Sequence, residues 1–221
     1  MSAYNKNPEE GAINIDLKLA RQREGKPFEW PNILELNKLM ADYSAGKTVL
    51  DIGCGTGATA LYMSENAQKV VAIEPDQKTL SWAKQNRSRE NIEYLPLYTD
   101  DLDSSYDGSF DLITAVDVIE HIEDYYPFIS DCTRLLKEDG SLVITSPNRN
   151  RDRSPRLKPA YRYHVQEFSS GELYFLFNTF FSRVELYGLR DVYNRKSVIP
   201  IDVNSKIHTT IMVCKEMRRR V

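Results

Sequence analysis

The sequence is short of several things, and each shortage excludes something. No apolar run is long enough to cross a bilayer. The first residues, Met1 to Pro8, lack the apolar centre of a signal peptide. A cytoplasmic protein with no membrane partner is the expectation. Cysteine is scarce: Cys54, Cys132 and Cys214 stand far apart, which argues against a disulfide framework or a thiolate metal pattern and fits a reducing compartment. Positive charge is not in excess. A formal net charge of −3 is the wrong sign for the basic face of most nucleic-acid binders. Internal repeats and low-complexity segments are absent, so solenoid architectures are set aside.

What remains is 221 residues with 41% hydrophobic and 28% charged side chains, the balance of one globular domain. Short β-branched runs alternate with helical-period stretches, which implies an α/β fold, a Rossmann-like doubly wound sheet that is mostly parallel with helices on both faces. Strands are expected at 48–52, 69–73, 91–95, 110–116, 141–145, 183–187 and 209–214. A helix starts at Asn32, where Glu35 completes a capping box, and ends at Gly46. Others are expected at about 57–66, after an Asp76 cap, around 128–136 with Gly140 as the stop, and after a Ser169–Glu172 capping box. Residues 1–31 read as an N-terminal extension or lid ahead of a domain at 32–221. The stretch from Arg190 to Lys206 carries no readable chemistry.

The most informative stretch is Thr48-Val49-Leu50-Asp51-Ile52-Gly53-Cys54-Gly55-Thr56-Gly57. A buried strand runs into three alternate glycines, which permit a tight turn and a close backbone approach to a ligand. The helix that follows offers unpaired N–H groups and a positive dipole end. The spacing is G-x-G-x-G, not the G-x-G-x-x-G of dinucleotide sites, and the Gly-Lys-Ser/Thr ending of a phosphate-cradling loop is missing. Asp51 would repel a pyrophosphate and suits a ligand bearing an ammonium group. Glu74 stands at the end of the second strand, where two carboxylate oxygens can accept from a ribose's hydroxyls. Asp117-Val118-Ile119-Glu120-His121-Ile122 leaves the carboxyl end of the fourth strand, where open α/β sheets collect ligand and catalytic groups.

These motifs, together with Phe110-Asp111-Leu112-Ile113, resemble the class I S-adenosylmethionine-dependent methyltransferases, in the small-molecule branch that includes ubiquinone-pathway O-methyltransferases and sugar methyltransferases. The resemblance covers most of residues 48–187. It implies S-adenosylmethionine as cofactor and S-adenosylhomocysteine as product. It assigns Asp51, Gly53, Cys54, Gly55 and Gly57 to the methionine end, and Glu74 with Pro75 to the ribose. Asp100, with Asp101 or Leu102, is assigned to the adenine, and Asp117 to the cofactor's edge. It also implies an antiparallel last strand. The Asn/Asp-Pro-Pro-aromatic motif of nucleic-acid adenine methylators and the Pro-Cys pair of pyrimidine C5 methylation do not occur.

Residues 147–168 read as an acceptor-side loop. Arg149, Arg151, Arg153, Arg156, Lys158 and Arg162 are interleaved with Tyr161, Tyr163 and His164. Such a loop suits a polar or anionic acceptor, such as a small molecule or a nucleotide-linked sugar; RNA stacked on the tyrosines is the competing partner. His164-Val165-Gln166-Glu167-Phe168 resembles a segment of many small-molecule and sugar methyltransferases. His121 and His164, which titrate near neutrality, are candidate bases for an alcohol acceptor, with Asp117 a third. No metal is expected, because Asp117 and Asn148 are too few as oxygen ligands. A methyltransferase acting on an O or N of a small molecule or sugar leads. An RNA methyltransferase, a non-catalytic cofactor-binding module and a nicotinamide oxidoreductase are the alternatives. Oligomeric state is not legible.

Overall fold

The computed structural model describes residues 33–151, 159, 163–192 and 195–218. The Asn32 cap, the extension over residues 1–31 and most of the arginine-rich stretch (152–158 and 160–162) lie outside the described residues. The elements in order are α1 (Ile33–Tyr43), β1 (Thr48–Ile52), α2 (Ala58–Met63), β2 (Lys69–Ile73), α3 (Gln77–Asn86), β3 (Ile92–Leu95), β4 (Phe110–Val116), α4 (Tyr125–Leu135), β5 (Leu136–Pro147), α5 (Ser170–Phe177), β6 (Phe181–Val192), β7 (Arg195–Pro200) and β8 (Thr209–Met217).

They form one eight-stranded sheet in the order β3-β2-β1-β4-β5-β8-β6-β7. Strands β1 to β5 are mutually parallel. The last strand, β8, runs antiparallel between β5 and β6, as expected. The order reverses between β1 and β4, and in open parallel sheets ligands bind at the carboxyl ends beside such a reversal.

Strand alternation sorts the side chains into two layers. Leu50, Ile52, Val71, Ile73, Ile113 and Ile144 pack against Phe128, Ile129 and Cys132 of α4 and Leu173 and Phe177 of α5. Val49, Val70, Ala72, Leu112 and Val143 pack against Leu36 and Met40 of α1, Ala60 and Met63 of α2, and Leu80 and Ala83 of α3. Strands β1, β2, β4 and the second half of β5 are buried on both faces, which is why they read as apolar runs rather than alternating ones. The same period of two puts Asp51 on the Val49 face and Glu74 on the Val70–Ala72 face, so both acids turn toward α2 and α3.

Three expectations are corrected. β6 extends to Val192 and pairs with β7, an antiparallel edge strand inside the stretch that carries no chemical signal. Gly140 does not stop a helix: α4 ends at Leu135, and the chain passes straight into β5 through an irregularity in register against β4. A Cβ on Gly140 would sit 3.0 Å from the Lys137 carbonyl and 3.1 Å from that of Phe110, so the glycine serves this close approach. The helix expected at 57–66 is regular only from Ala58 to Met63.

Candidate functional site

Strand β1 delivers Asp51 to the reversal point. Asp51 and Thr114 of β4 are register partners, and the Thr114 hydroxyl donates to Asp51 Oδ1 at 2.7 Å. Asp51 is 1% exposed, and its Oδ2 has no hydrogen-bond partner among the described residues. A carboxylate so placed resists ionisation. Burial pushes its pKa up, the Thr114 bond pulls it back, the neighbouring Glu74 charge raises it again, and the result is about 7.

The glycine corner then wraps toward β2. Gly53, Gly55 and Gly57 all have positive φ. Gly57, at φ 77° ahead of α2, is also packed so closely that a Cβ would run into Tyr94 Oη and lie 3.2 Å from Ala83 Cβ. Tyr94 donates to the Arg87 carbonyl at 3.0 Å, and Arg87 Nη1 donates to the Thr56 carbonyl and hydroxyl at 3.0 and 2.9 Å. This brace holds the loop from beneath.

Glu74 is buried and spans the corner: Oε2 accepts from the Gly55 amide at 3.1 Å and Oε1 from the Asp76 amide at 2.9 Å. It is therefore not a solvated turn residue. Asp76 caps α3 by accepting from the Thr79 amide, as expected. Burial, then the charges of Asp51 and Glu74, push the Cys54 thiol well up, so it is inert as a nucleophile. Asp51, Cys54 and Glu74 stand close enough for their charges to act on one another. Pro75 is half-buried beside them.

Beyond β3, Thr99–Asp101 forms a 3-10 turn. Asp101 accepts from the Tyr98 amide at 2.9 Å and is committed to a cap, while Asp100 is exposed at the same turn. Leu102 is closed inside the core.

The other half of the site follows β4. Asp117 sits at φ 52°, a left-handed conformation uncommon outside glycine. Thr145 of β5 holds it there, since its hydroxyl donates to Asp117 Oδ1 at 2.8 Å and accepts from the Asp117 amide at 3.1 Å. Such strain gathers at functional sites. The 3-10 turn Ile119–His121 follows. Glu120 is fully buried, with Ser146 Oγ donating to Oε2 at 3.1 Å and Oε1 without a partner among the described residues. Burial, then the Asp117 charge, drives its pKa well above the carboxylate range.

His121 and His164 come together, their rings edge to face with centroids 4.9 Å apart. His121 Nδ1 meets the Tyr163 carbonyl at 3.1 Å, and His164 Nδ1 meets Glu167 Oε1 at 2.9 Å. Packing around the His121 ring, then the His164 charge, lowers its pKa, and the Tyr163 carbonyl only partly restores it. Glu167 is buried, yet its bonds to Arg151 and His164 outweigh burial and keep its carboxyl below the ordinary range. Arg151 Nη1 donates to Glu167 Oε2 at 2.9 Å, and Arg149 Nη2 donates to Glu172 Oε1 at 2.6 Å. The two described arginines of the acceptor-side stretch are therefore held in ion pairs. Asn148 is buried and donates to Ser170 Oγ and the Ser205 carbonyl, so it is a structural residue.

Thr114, Arg87, Tyr94, Glu120 and Glu167 are the site residues that sequence reasoning missed. Glu120 and Glu167 lie inside the very motifs that pointed to His121 and His164. Arg87 carries no sequence signal at all.

Comparison with known proteins agrees with this geometry. A family model described as a methyltransferase domain matches residues 50–144. A ubiquinone biosynthesis O-methyltransferase of Neisseria meningitidis is 31% identical over 160 residues, covering 68% of this chain and 67% of the relative. Its counterpart in Acinetobacter baylyi is 32% identical over 158 residues, with 68% and 66% covered. The chain thus spans about two thirds of the length of these relatives. Among solved structures, a Thermotoga maritima protein described as an S-adenosylmethionine-dependent methyltransferase, possible histamine N-methyltransferase, superposes with a TM-score of 0.70 at 17% identity, over 92% of this chain and 97% of that one. At that identity it speaks for the fold.

Proposed function

The chain belongs to the class I S-adenosylmethionine-dependent methyltransferases, and on that footing we propose that it methylates an oxygen of a small-molecule acceptor. Family and fold together imply S-adenosylmethionine as the donor. When bound, that cofactor would supply an electrophilic methyl group on a sulfonium, whose sulfur would keep the C–S bonding pair.

The observation that carries the reading is Asp51 Oδ2, buried beside the glycine corner and without a partner among the described residues. A buried half-satisfied carboxylate is costly unless a cationic group completes it. The cofactor's ammonium is such a group. Gly53, Cys54, Gly55 and Gly57 let the backbone approach the methionine end. Glu74, with Pro75, accepts from the ribose hydroxyls, and Asp100 at the exposed turn receives the adenine amino group. Asp101 and Leu102 support that turn, Asp101 through its cap and Leu102 from the core.

On the acceptor side the strained Asp117, His121 and His164 stand at the mouth of β4 and β5. They are the groups to orient the acceptor and take its proton. Of the acceptor-side stretch, the described residues 147–151 and 163–168 line this edge. Relatives named as O-methyltransferases support a hydroxyl acceptor, a class that includes sugars. The pairing of Arg149 and Arg151 with acidic neighbours works against an RNA grip by these two residues.

Isothermal titration with S-adenosylmethionine tests the reading. Saturable binding that Asp51→Ala abolishes without unfolding the chain is expected; absence of binding at millimolar cofactor overturns it.

A further inference from the structure

We propose that Asn37 selects the cofactor by its α-carboxylate: the Asn37 amide donates to that group, so the pocket takes a zwitterionic amino-acid end in preference to a decarboxylated one that keeps only its ammonium. The assignment rests on the methyl-transfer reading of the same site and adds to it a specificity-determining residue on α1.

Two buried polar atoms of opposite character are left over beside the glycine corner. One is the acceptor Asp51 Oδ2. The other is the donor Asn37 Nδ2. Asn37 is fully buried, its Oδ1 accepts from the Thr59 hydroxyl at 3.0 Å, and Nδ2 has no partner among the described residues. A buried N–H without an acceptor is costly, so each one that a fold retains calls for a reason.

Helices α1 and α2 lie side by side and run the same way. Asn37 meets Thr59 near the start of both. Near their ends Asn66 Nδ2 donates to the Ala41 carbonyl at 3.2 Å, and Ser44 Oγ donates to the Met63 carbonyl at 3.1 Å. Because α2 begins at the glycine corner, Asn37 stands at that end of the sheet. Thr59 and Met63 are one turn apart on one face of α2. Met63 Sδ is 3.8 Å from Thr114 Oγ1, the hydroxyl that holds Asp51. Asp51 and Asn37 thus flank the same face of α2, with Asn37 on the side of the corner.

An α-amino acid carries an ammonium and a carboxylate on one carbon, and the two leftover atoms are an acceptor and a donor to match. A bare anion is repelled here, since Asp51 and Glu74 are both acids. A zwitterion is admitted, because its ammonium neutralises Asp51. The neutrality of Asn37 matters: a lysine or arginine in its place would pair with Asp51 and close the site, whereas an amide donates without quenching that charge. Thr59 sets the direction, since its hydroxyl occupies Oδ1 and leaves the two Nδ2 hydrogens for the ligand.

The test is isothermal titration of the full chain at about pH 8, above the Asp51 pKa of about 7, with S-adenosylmethionine and with its decarboxylated form. The wild type should prefer the intact cofactor by about 10- to 100-fold, the worth of a hydrogen bond to a charged group. Asn37→Asp keeps an acceptor for Thr59 and removes the donor; it should abolish or reverse that preference. Asn37→Leu should weaken S-adenosylmethionine about 10- to 100-fold and leave the decarboxylated form within about threefold. Thr59→Val, which frees the amide to turn, should give a smaller loss of the same kind. Circular dichroism and urea unfolding identify variants that remain folded. Equal affinity of the wild type for the two ligands, or an unchanged preference in a folded Asn37 variant, overturns the assignment and leaves the methyl-transfer reading standing. No binding of either ligand by the wild type removes that reading, and the role of Asn37 falls with it.

Discussion

Asp51 and Thr114 face each other across the β1–β4 pair, and one hydrogen bond of 2.7 Å satisfies only one of the two buried Asp51 oxygens. The protein thus keeps a carboxyl group whose pKa is about 7, because burial outweighs the Thr114 bond and Glu74 adds repulsion. A group balanced in this way responds to a cationic ligand by ionising.

The sign of the pH dependence follows. An ammonium beside Asp51 favours its charged form, so cofactor binding expels a proton wherever the free carboxyl holds one. At pH 6 release of most of one proton is expected, and affinity should fall roughly tenfold per pH unit below about 7. Calorimetry in two buffers of different ionisation enthalpy measures the release. Asp51→Asn should show none, and equal release in that variant would refute the assignment.

The same carboxyl predicts a stability trend in the ligand-free chain. An acid whose pKa is raised on folding contributes fully below its unfolded value, about 3.9, and loses that contribution as pH rises through about 7. Asp51→Asn removes the loss. Relative to wild type, the variant should gain urea stability between pH 5 and pH 8. A difference that stays constant with pH contradicts the raised pKa.

Gly57→Ala should cost on two counts. At φ 77° an alanine is strained by about 1 to 2 kcal/mol, and its Cβ would displace Tyr94 from under the corner. Because Tyr94 also holds the Arg87 carbonyl, the brace on Thr56 shifts with it. Cofactor affinity should drop at least tenfold, by more than the loss of stability explains. A stable variant that binds normally would show that the corner does not cradle the ligand.

The sheet's parallel half was legible because its strands are buried on both faces and so read as unbroken apolar runs. The glycine corner was legible as a tight turn because three glycines in five residues mark backbone that only glycine adopts readily. Glu120 and Glu167 were not, because nothing local marks a carboxylate that will be buried by a segment more than forty residues away. The extension of β6 beyond Tyr187 and the edge strand β7 escaped notice because Arg190, Asp191, Arg195, Lys196 and Ser197 make this part polar, and edge strands need only one apolar face. Gly140 misled because a glycine after a helix usually ends it, whereas here a strand crossing demands the missing side chain.

The capping box on α5 predicts a modest, local effect. Ser169 Oγ accepts from the Glu172 amide at 3.2 Å, and Glu172 Oε2 accepts from the Ser169 amide at 2.8 Å. Ser169→Ala should cost about 1 kcal/mol, or about 2 to 4 °C in melting temperature for a domain of this size. Cofactor affinity should not change, since the cap lies at α5 and not at the glycine corner.

Arg149 and Arg151, two residues apart, make ion pairs of very different worth. Arg149 reaches Glu172 at the surface, with 34% and 46% of the two side chains exposed. Arg151 reaches Glu167 in the interior, with 13% and 1% exposed. Solvent screens the first, so Arg149→Ala should cost less than about 1 kcal/mol. Removing Arg151 leaves a buried carboxylate with only the His164 ring against it among the described side chains, and breaking a buried pair costs about 3 kcal/mol or more. Arg151→Ala should therefore destabilise the fold several times more than Arg149→Ala. The double variant Arg151→Met with Glu167→Leu should recover much of the loss, because it removes the stranded charge as well as the pair. Urea unfolding of the four proteins decides it: equal costs for the two arginines would mean that the Glu167 carboxylate is wet, and the tether it provides for His164 would then be loose.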